Sequence, residues 1–106
     1  MLITSTDPVL NQFRTAVTAR YGDRVERIVL FGSRARGDQR ADSDYDIAVF
    51  LNDLGPLWSE LDSLAAIGTD IFYDTGAIIS AKPFSADSYS ERTALMQEIR
   101  RDGFEL

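Results

Sequence analysis

Apolar positions along the chain change their period several times, and each change marks an element. Val9, Leu10, Phe13, Val17 and Tyr21 recur at helical spacing, with Arg14 and Arg20 on other faces. Asp7-Pro8 ahead of them has the residue types favoured at an N-cap and at the first helical position, and Gly22 stops the run. Val25 to Phe31 (VERIVLF) becomes β-branched and apolar, which predicts a strand. Gly32-Ser33 then reads as a strand-to-helix turn, Ser33 to Arg36 as a short helical turn closed by Gly37, and Asp38 to Ser43 as a polar loop. Tyr45 to Leu51 (YDIAVFL) is apolar apart from Asp46, the pattern of a central strand covered on both faces.

Asn52 to Pro56 is turn-like. Leu57, Leu61, Leu64 and Ala65 predict a second long helix that extends toward Ile71, with its last turns weakened by Gly68 and Thr69. Ala77 to Pro83 predicts a third strand, and Thr93 to Arg101 a final helix carrying Leu95, Met96 and Ile99. Gly103 stands where a left-handed C-cap belongs, with Phe104 placed for the accompanying apolar contact. Leu57, Trp58, Met96, Ile99 and Phe104 are expected in the core or against a cap before any role as a contact surface. The alternation predicts one small domain over residues 1–106 of α/β (α+β) class, a small mixed sheet with helices packed on it.

Composition narrows the chemistry. The chain of 106 residues has no cysteine and no histidine, so disulfides, thiolate sites and imidazole bases are excluded, and any metal must be a hard cation held by oxygen. A net charge of −6 argues against a direct nucleic-acid module. The basic residues are uneven, however: Arg34, Arg36 and Arg40 lie within seven residues, beside a group of aspartates. Met1 to Thr6 has none of the features of a signal peptide, and no apolar run approaches the ~20 residues that span a bilayer, so the expected location is cytoplasmic, away from membranes.

The informative stretch is Gly32-Ser33-Arg34-Ala35-Arg36-Gly37, a loop, and then Ser43-Asp44-Tyr45-Asp46. Gly32 after a buried strand lets the backbone turn tightly and an anion approach it. Ser33 begins a helical turn, where N–H groups and a hydroxyl suit a phosphate. Asp44 and Asp46 are two apart on an expected strand, so their carboxylates share a face with Cα atoms about 7 Å apart. Such a pair repels itself unless a cation intervenes, and magnesium takes one or two carboxylates plus substrate phosphates. Each piece alone has a plain reading as a turn, a solvated face or surface charge. The combination in this order is far rarer by chance. Tyr45, pointing the other way, reads as packing.

The run GSRARGDQRADSDYDIAVF resembles the signature of the DNA polymerase beta-like nucleotidyltransferase superfamily, and the Ala-Arg-Gly after the Gly-Ser looks like its minimal nucleotidyltransferase branch. The resemblance implies that Gly32 and Ser33 hold a triphosphate and that Asp44 and Asp46 hold magnesium and are catalytic. Arg34 and Arg36 would be phosphate or structural contacts. It also implies ATP as substrate, two-metal phosphoryl transfer, and a HEPN-type toxin as partner, with the chain as antitoxin moving AMP onto a tyrosine of that toxin. With no helical second domain, the acceptor surface would come from the partner or from a second copy, in a homo- or hetero-oligomer.

The family usually places a third carboxylate on a later strand, and Ala77 to Lys82 contains none. Ser80 or Lys82 stands in its place, unless Asp70 or Asp74 reaches the site from the preceding helix. A cation there would weaken the second ion and leave binding more secure than turnover. The main rival reading is therefore a catalytically degenerate member that neutralises its partner by contact alone. A small-molecule nucleotidyltransferase of the aminoglycoside type and a polymerase both fit this length less well.

Overall fold

The first helix begins where its side-chain cap permits: the Asp7 carboxylate accepts hydrogen bonds from the backbone N–H groups of Val9 at 2.8 Å and Leu10 at 3.3 Å. Helix α1 runs Pro8–Tyr21 and ends at Gly22, whose φ of 57° suits glycine. The computed structural model describes residues 7–38 and 43–106; the expectations for Met1 to Thr6 and for Arg40, with the middle of the polar loop, lie outside the described residues. A single 3-10 turn leads into β1 (Val25–Phe31), followed by α2 (Ser33–Arg36), β2 (Tyr45–Leu51), α3 (Leu57–Thr75), β3 (Ile79–Ser85), α4 (Ala94–Asp102) and β4 (Phe104–Glu105).

The sheet has the order β3-β2-β1-β4. Strands β1 and β4 are antiparallel to their neighbours, while β2 and β3 run parallel through the long α3 crossover. The result is a small α+β domain with a four-stranded mixed sheet among the described residues. Strand alternation divides the core in two. Ile28, Leu30, Tyr45, Ile47, Val49 and Leu51 face α1 and α3, where they meet Leu10, Phe13, Val17, Leu64 and Ile71. Val29, Phe31, Ala48 and Phe50 face the other way, onto Met96 and Ile99 of α4. Central β2 is thus covered on both faces, as its apolar run requires. None of the described helices is long and apolar enough to cross a membrane.

Four expectations are corrected. Helix α3 continues unbroken through Gly68 to Thr75, with Leu64 and Ile71 buried on either side of the glycine; the left-handed cap is Gly76, at φ 78°. Strand β3 is displaced two residues along, to Ile79–Ser85, and includes Pro83; an edge strand tolerates the missing N–H. Gly103 is extended, at φ −73°, instead of left-handed. It is needed for proximity: a Cβ there would collide with the Ile99 carbonyl oxygen and the Val29 side chain, which lets the chain pass straight into β4. Phe104 consequently belongs to a short exposed strand and not to a cap.

Leu57 and Trp58 are the clearest departure. They are 53% and 78% exposed, because the buried residues of α3 begin one turn later, at Glu60. Glu60 is the only buried charged residue among the described ones. Its carboxylate accepts from the Gly55 N–H at 3.0 Å and pairs with Arg24, tying the start of α3 to the end of the first helical segment. Burial would raise the Glu60 carboxyl, but these hydrogen bonds and the arginine charge outweigh it and hold the group below its ordinary value.

Candidate functional site

Strand β1 ends at Phe31, whose Cα partner across the ladder is Asp46. The next residue, Gly32, takes φ 77° and ψ −157°, a conformation closed to ordinary side chains. Its backbone lies directly against the Asp46 carboxylate: a Cβ on Gly32 would collide with Asp46 Oδ2 and come within 3.2 Å of its Cγ. The glycine therefore serves two needs, the corner and the space that Asp46 occupies. Ser33 opens α2 half-buried, and the turn is closed by N–H groups of Ala35 and Arg36 donating to the Gly32 carbonyl, both at 3.1 Å. Gly37 caps it at φ 82°.

Asp46 shares the α4 side of the sheet with Ala48 and Phe50. It is half-buried, and Asp44, one residue ahead of the strand, is exposed. Burial, and after it the negative charge of Asp44, raises the Asp46 carboxyl above its ordinary value; Lys82 opposes the rise, Glu98 adds to it, and Arg36 opposes it. Four charged groups, from α2, β3, α4 and the loop before β2, thus act on Asp46. Ionised, the two aspartates form a site short of positive charge, and oxygen donors of this kind suit magnesium. Among the described residues, no group of three or more His, Cys, Asp or Glu side chains gathers around a metal position.

The two arginines of the motif part company. Arg34 turns to the α1 side of the sheet: its guanidinium lies 3.9 Å from the Tyr45 ring centroid, and its Nε–H donates to the Ser43 carbonyl at 3.0 Å. Tyr45 is packing, as expected, and its hydroxyl donates to Asp7 at 3.0 Å. Arg36 stays on the Asp46 side, where it pairs with Glu98 at 3.3 Å and Asp38 at 3.4 Å. Glu98 is the residue that sequence reasoning missed. Its spacing from Leu95 and Met96 on α4 was legible, but which groups that helix would approach was not.

The candidates for the third strand position also separate. Asp74 accepts from Gln12 of α1 at 2.9 Å, within the layer on the opposite side of the sheet, and Asp70 is exposed on the same helix. Ser80 is the Cα partner of Asp46 in the parallel ladder, and Lys82 is the partner of Ala48. Both therefore lie on the Asp46 face, as the stacking of their successor Phe84 on Phe50, with centroids 5.5 Å apart, confirms for the register.

Residues 15–103 match the family described as "Polymerase beta, Nucleotidyltransferase". A relative from Methanocaldococcus jannaschii that carries the name "Putative protein adenylyltransferase" is 28% identical over 86 residues, 81% of this chain and 80% of its own length. A crystal structure of a toxin–antitoxin with AMP-PNP superposes with a TM-score of 0.65 at 21% identity, over 90% of this chain and 69% of the other. A structure described as a "putative minimal nucleotidyltransferase" superposes with a TM-score of 0.56 at 25% identity, over 91% and 90% of the two chains.

Proposed function

Because the chain belongs to the polymerase beta nucleotidyltransferase family, we propose that it binds ATP with magnesium at the corner between Gly32 and Asp46 and transfers AMP to a hydroxyl of a partner protein. The observation that carries this reading is the seating of the Asp46 carboxylate on the Gly32 backbone, beside Asp44 and at the mouth of α2. Asp44 and Asp46 would hold the magnesium ion, which supplies charge neutralisation for the phosphates. Gly32 leaves the main chain open to a phosphate, and the Ser33 hydroxyl would donate to one of its oxygens. Arg36, already on that side, is the arginine suited to a phosphate; Arg34 instead braces the segment that carries Asp44.

In the transfer, the acceptor hydroxyl releases its proton to solvent as its oxygen bonds to the α-phosphorus, the bond from that phosphorus to the bridging oxygen breaks, and pyrophosphate departs. The chain contributes position and charge, consistent with its lack of histidine. The similarity to a named protein adenylyltransferase supports a protein acceptor, and the likeness to a toxin–antitoxin supports a role as antitoxin. We assign a HEPN-type toxin as partner, from the motif resemblance. A cytoplasmic location, where ATP and magnesium are plentiful, fits this reading.

Incubation of the chain and its co-expressed partner with labelled ATP and magnesium should label the partner, and Asp44→Ala/Asp46→Ala should abolish the label. Equal labelling by both would remove the assignment. The acid-free strand Ser80-Ala81-Lys82 favours one second reading, a member that binds nucleotide and blocks its partner without turnover. Magnesium-dependent ATP binding with no product is the result that would select it.

A further inference from the structure

Oxygen-to-oxygen phosphoryl transfer commonly uses two divalent ions ~3.5–4 Å apart, which demands more carboxylate than one aspartate pair offers. Here the strand beside Asp46 carries Ser80 at the same rung and Lys82 two residues further, on the same face. Lys82 is exposed, and among the described residues it has no ion-pair partner, unlike Arg36, which is engaged by Glu98 and Asp38. Ser80 is short and half-buried, and a lysine stem is long enough to span the two residues between its own rung and that of Asp46. The other acids first weighed for this position lie in the α1 and α3 layer, on the far side of the sheet.

We propose that the Lys82 ammonium takes the place of a second divalent ion, so that the site works with one cation on Asp44 and Asp46 and a fixed positive charge reaching over Ser80 toward the triphosphate. This rests on the nucleotide reading above. An ammonium is a compact point charge on a flexible stem, able to face phosphate oxygens but unable to coordinate an acceptor hydroxyl as a metal does. The register supports the placement, since Ser80 is the rung partner of Asp46 and Lys82 follows it on the same face of the sheet.

The test counts Mn2+ retained per bound AMP-PNP, by equilibrium dialysis with electron paramagnetic resonance, on folded protein verified by thermal melting. Wild type should retain one ion per nucleotide. Lys82→Ala should still retain one but bind AMP-PNP roughly tenfold more weakly, the scale of one charge-assisted contact. Ser80→Asp alone should stay at one ion, because Lys82 neutralises the new acid, whereas Ser80→Asp with Lys82→Ala should reach two. Two ions in wild type, a second ion in Ser80→Asp with Lys82 intact, or unchanged affinity in Lys82→Ala each overturn the inference while leaving nucleotide binding in place. Absence of any Mn2+-dependent AMP-PNP binding by wild type overturns the underlying reading, and the inference with it.

Discussion

At Asp46, the role proposed for the carboxylate and the stability of the folded chain pull in opposite directions. Burial, with Asp44 reinforcing it, raises its carboxyl, so the folded chain binds that proton more tightly than the unfolded chain does. Ionised Asp46 therefore subtracts from stability above its raised value, and the penalty is relieved as pH falls through it. Asp46→Asn should stabilise the metal-free protein at neutral pH by about 0.5 kcal/mol, a small value because the group is only partly buried, and should abolish magnesium-dependent ATP binding. Thermal melts against pH check the first part: the mutant should lose the gain in stability that wild type shows just above the ordinary aspartate range. Arg34 makes a different demand. Arg34→Ala removes both the ring contact at Tyr45 and the hydrogen bond to Ser43, and should cost about 1–2 kcal/mol in a denaturant titration. If it braces the site and does not touch phosphate, the same variant should lower ATP affinity without changing its dependence on salt.

Among the elements, α3 is held both by its apolar stripe, through Leu64 and Ile71, and by a polar anchor in its first turn. Glu60 is buried there with the Gly55 N–H and Arg24 as partners, while Leu57 and Trp58 stand outside. Glu60→Ala would leave that N–H without its acceptor and the Arg24 guanidinium with the Asp53 carbonyl in place of a carboxylate. The expected loss is about 1–3 kcal/mol, below the figure for a fully buried pair because Arg24 is 36% exposed, and calorimetric unfolding measures it. Glu60→Gln should recover part of the loss. The carboxyl is held below its ordinary value, so its stabilisation is present above the unfolded-state value and is lost as pH falls through the depressed folded one.

At the scale of the whole molecule, the site joins elements distant in sequence: the β1 end, α2, the β2 start, β3 and α4 all act on Asp46. A ligand held there should bind only the folded chain. Magnesium with ATP at a hundredfold excess over Kd should therefore add about 2.7 kcal/mol to stability, read as a higher Tm, and either component alone should add much less. An equal rise with ATP in the presence of a chelator would contradict a metal-dependent site.

The sequence by itself determined the elements whose signals are local. Asp7-Pro8 and Gly22 bound α1, the apolar run of β2 announced a strand covered on both sides, and Gly32-Ser33 marked the corner from β1 into the short helical turn of α2. Only the tertiary structure decided which side of the sheet each charge faces. Arg34 and Arg36 read alike in a sequence, yet one lies over Tyr45 and the other reaches Glu98 on α4. Gly103 likewise looked like a left-handed cap, whereas it is a site of close approach to the Val29 side chain on a neighbouring strand. The physical reason is common to all these cases: periodicity and capping act over a few neighbouring residues, but the partner of a charge or of a missing Cβ comes from whichever distant segment the packed core brings beside it.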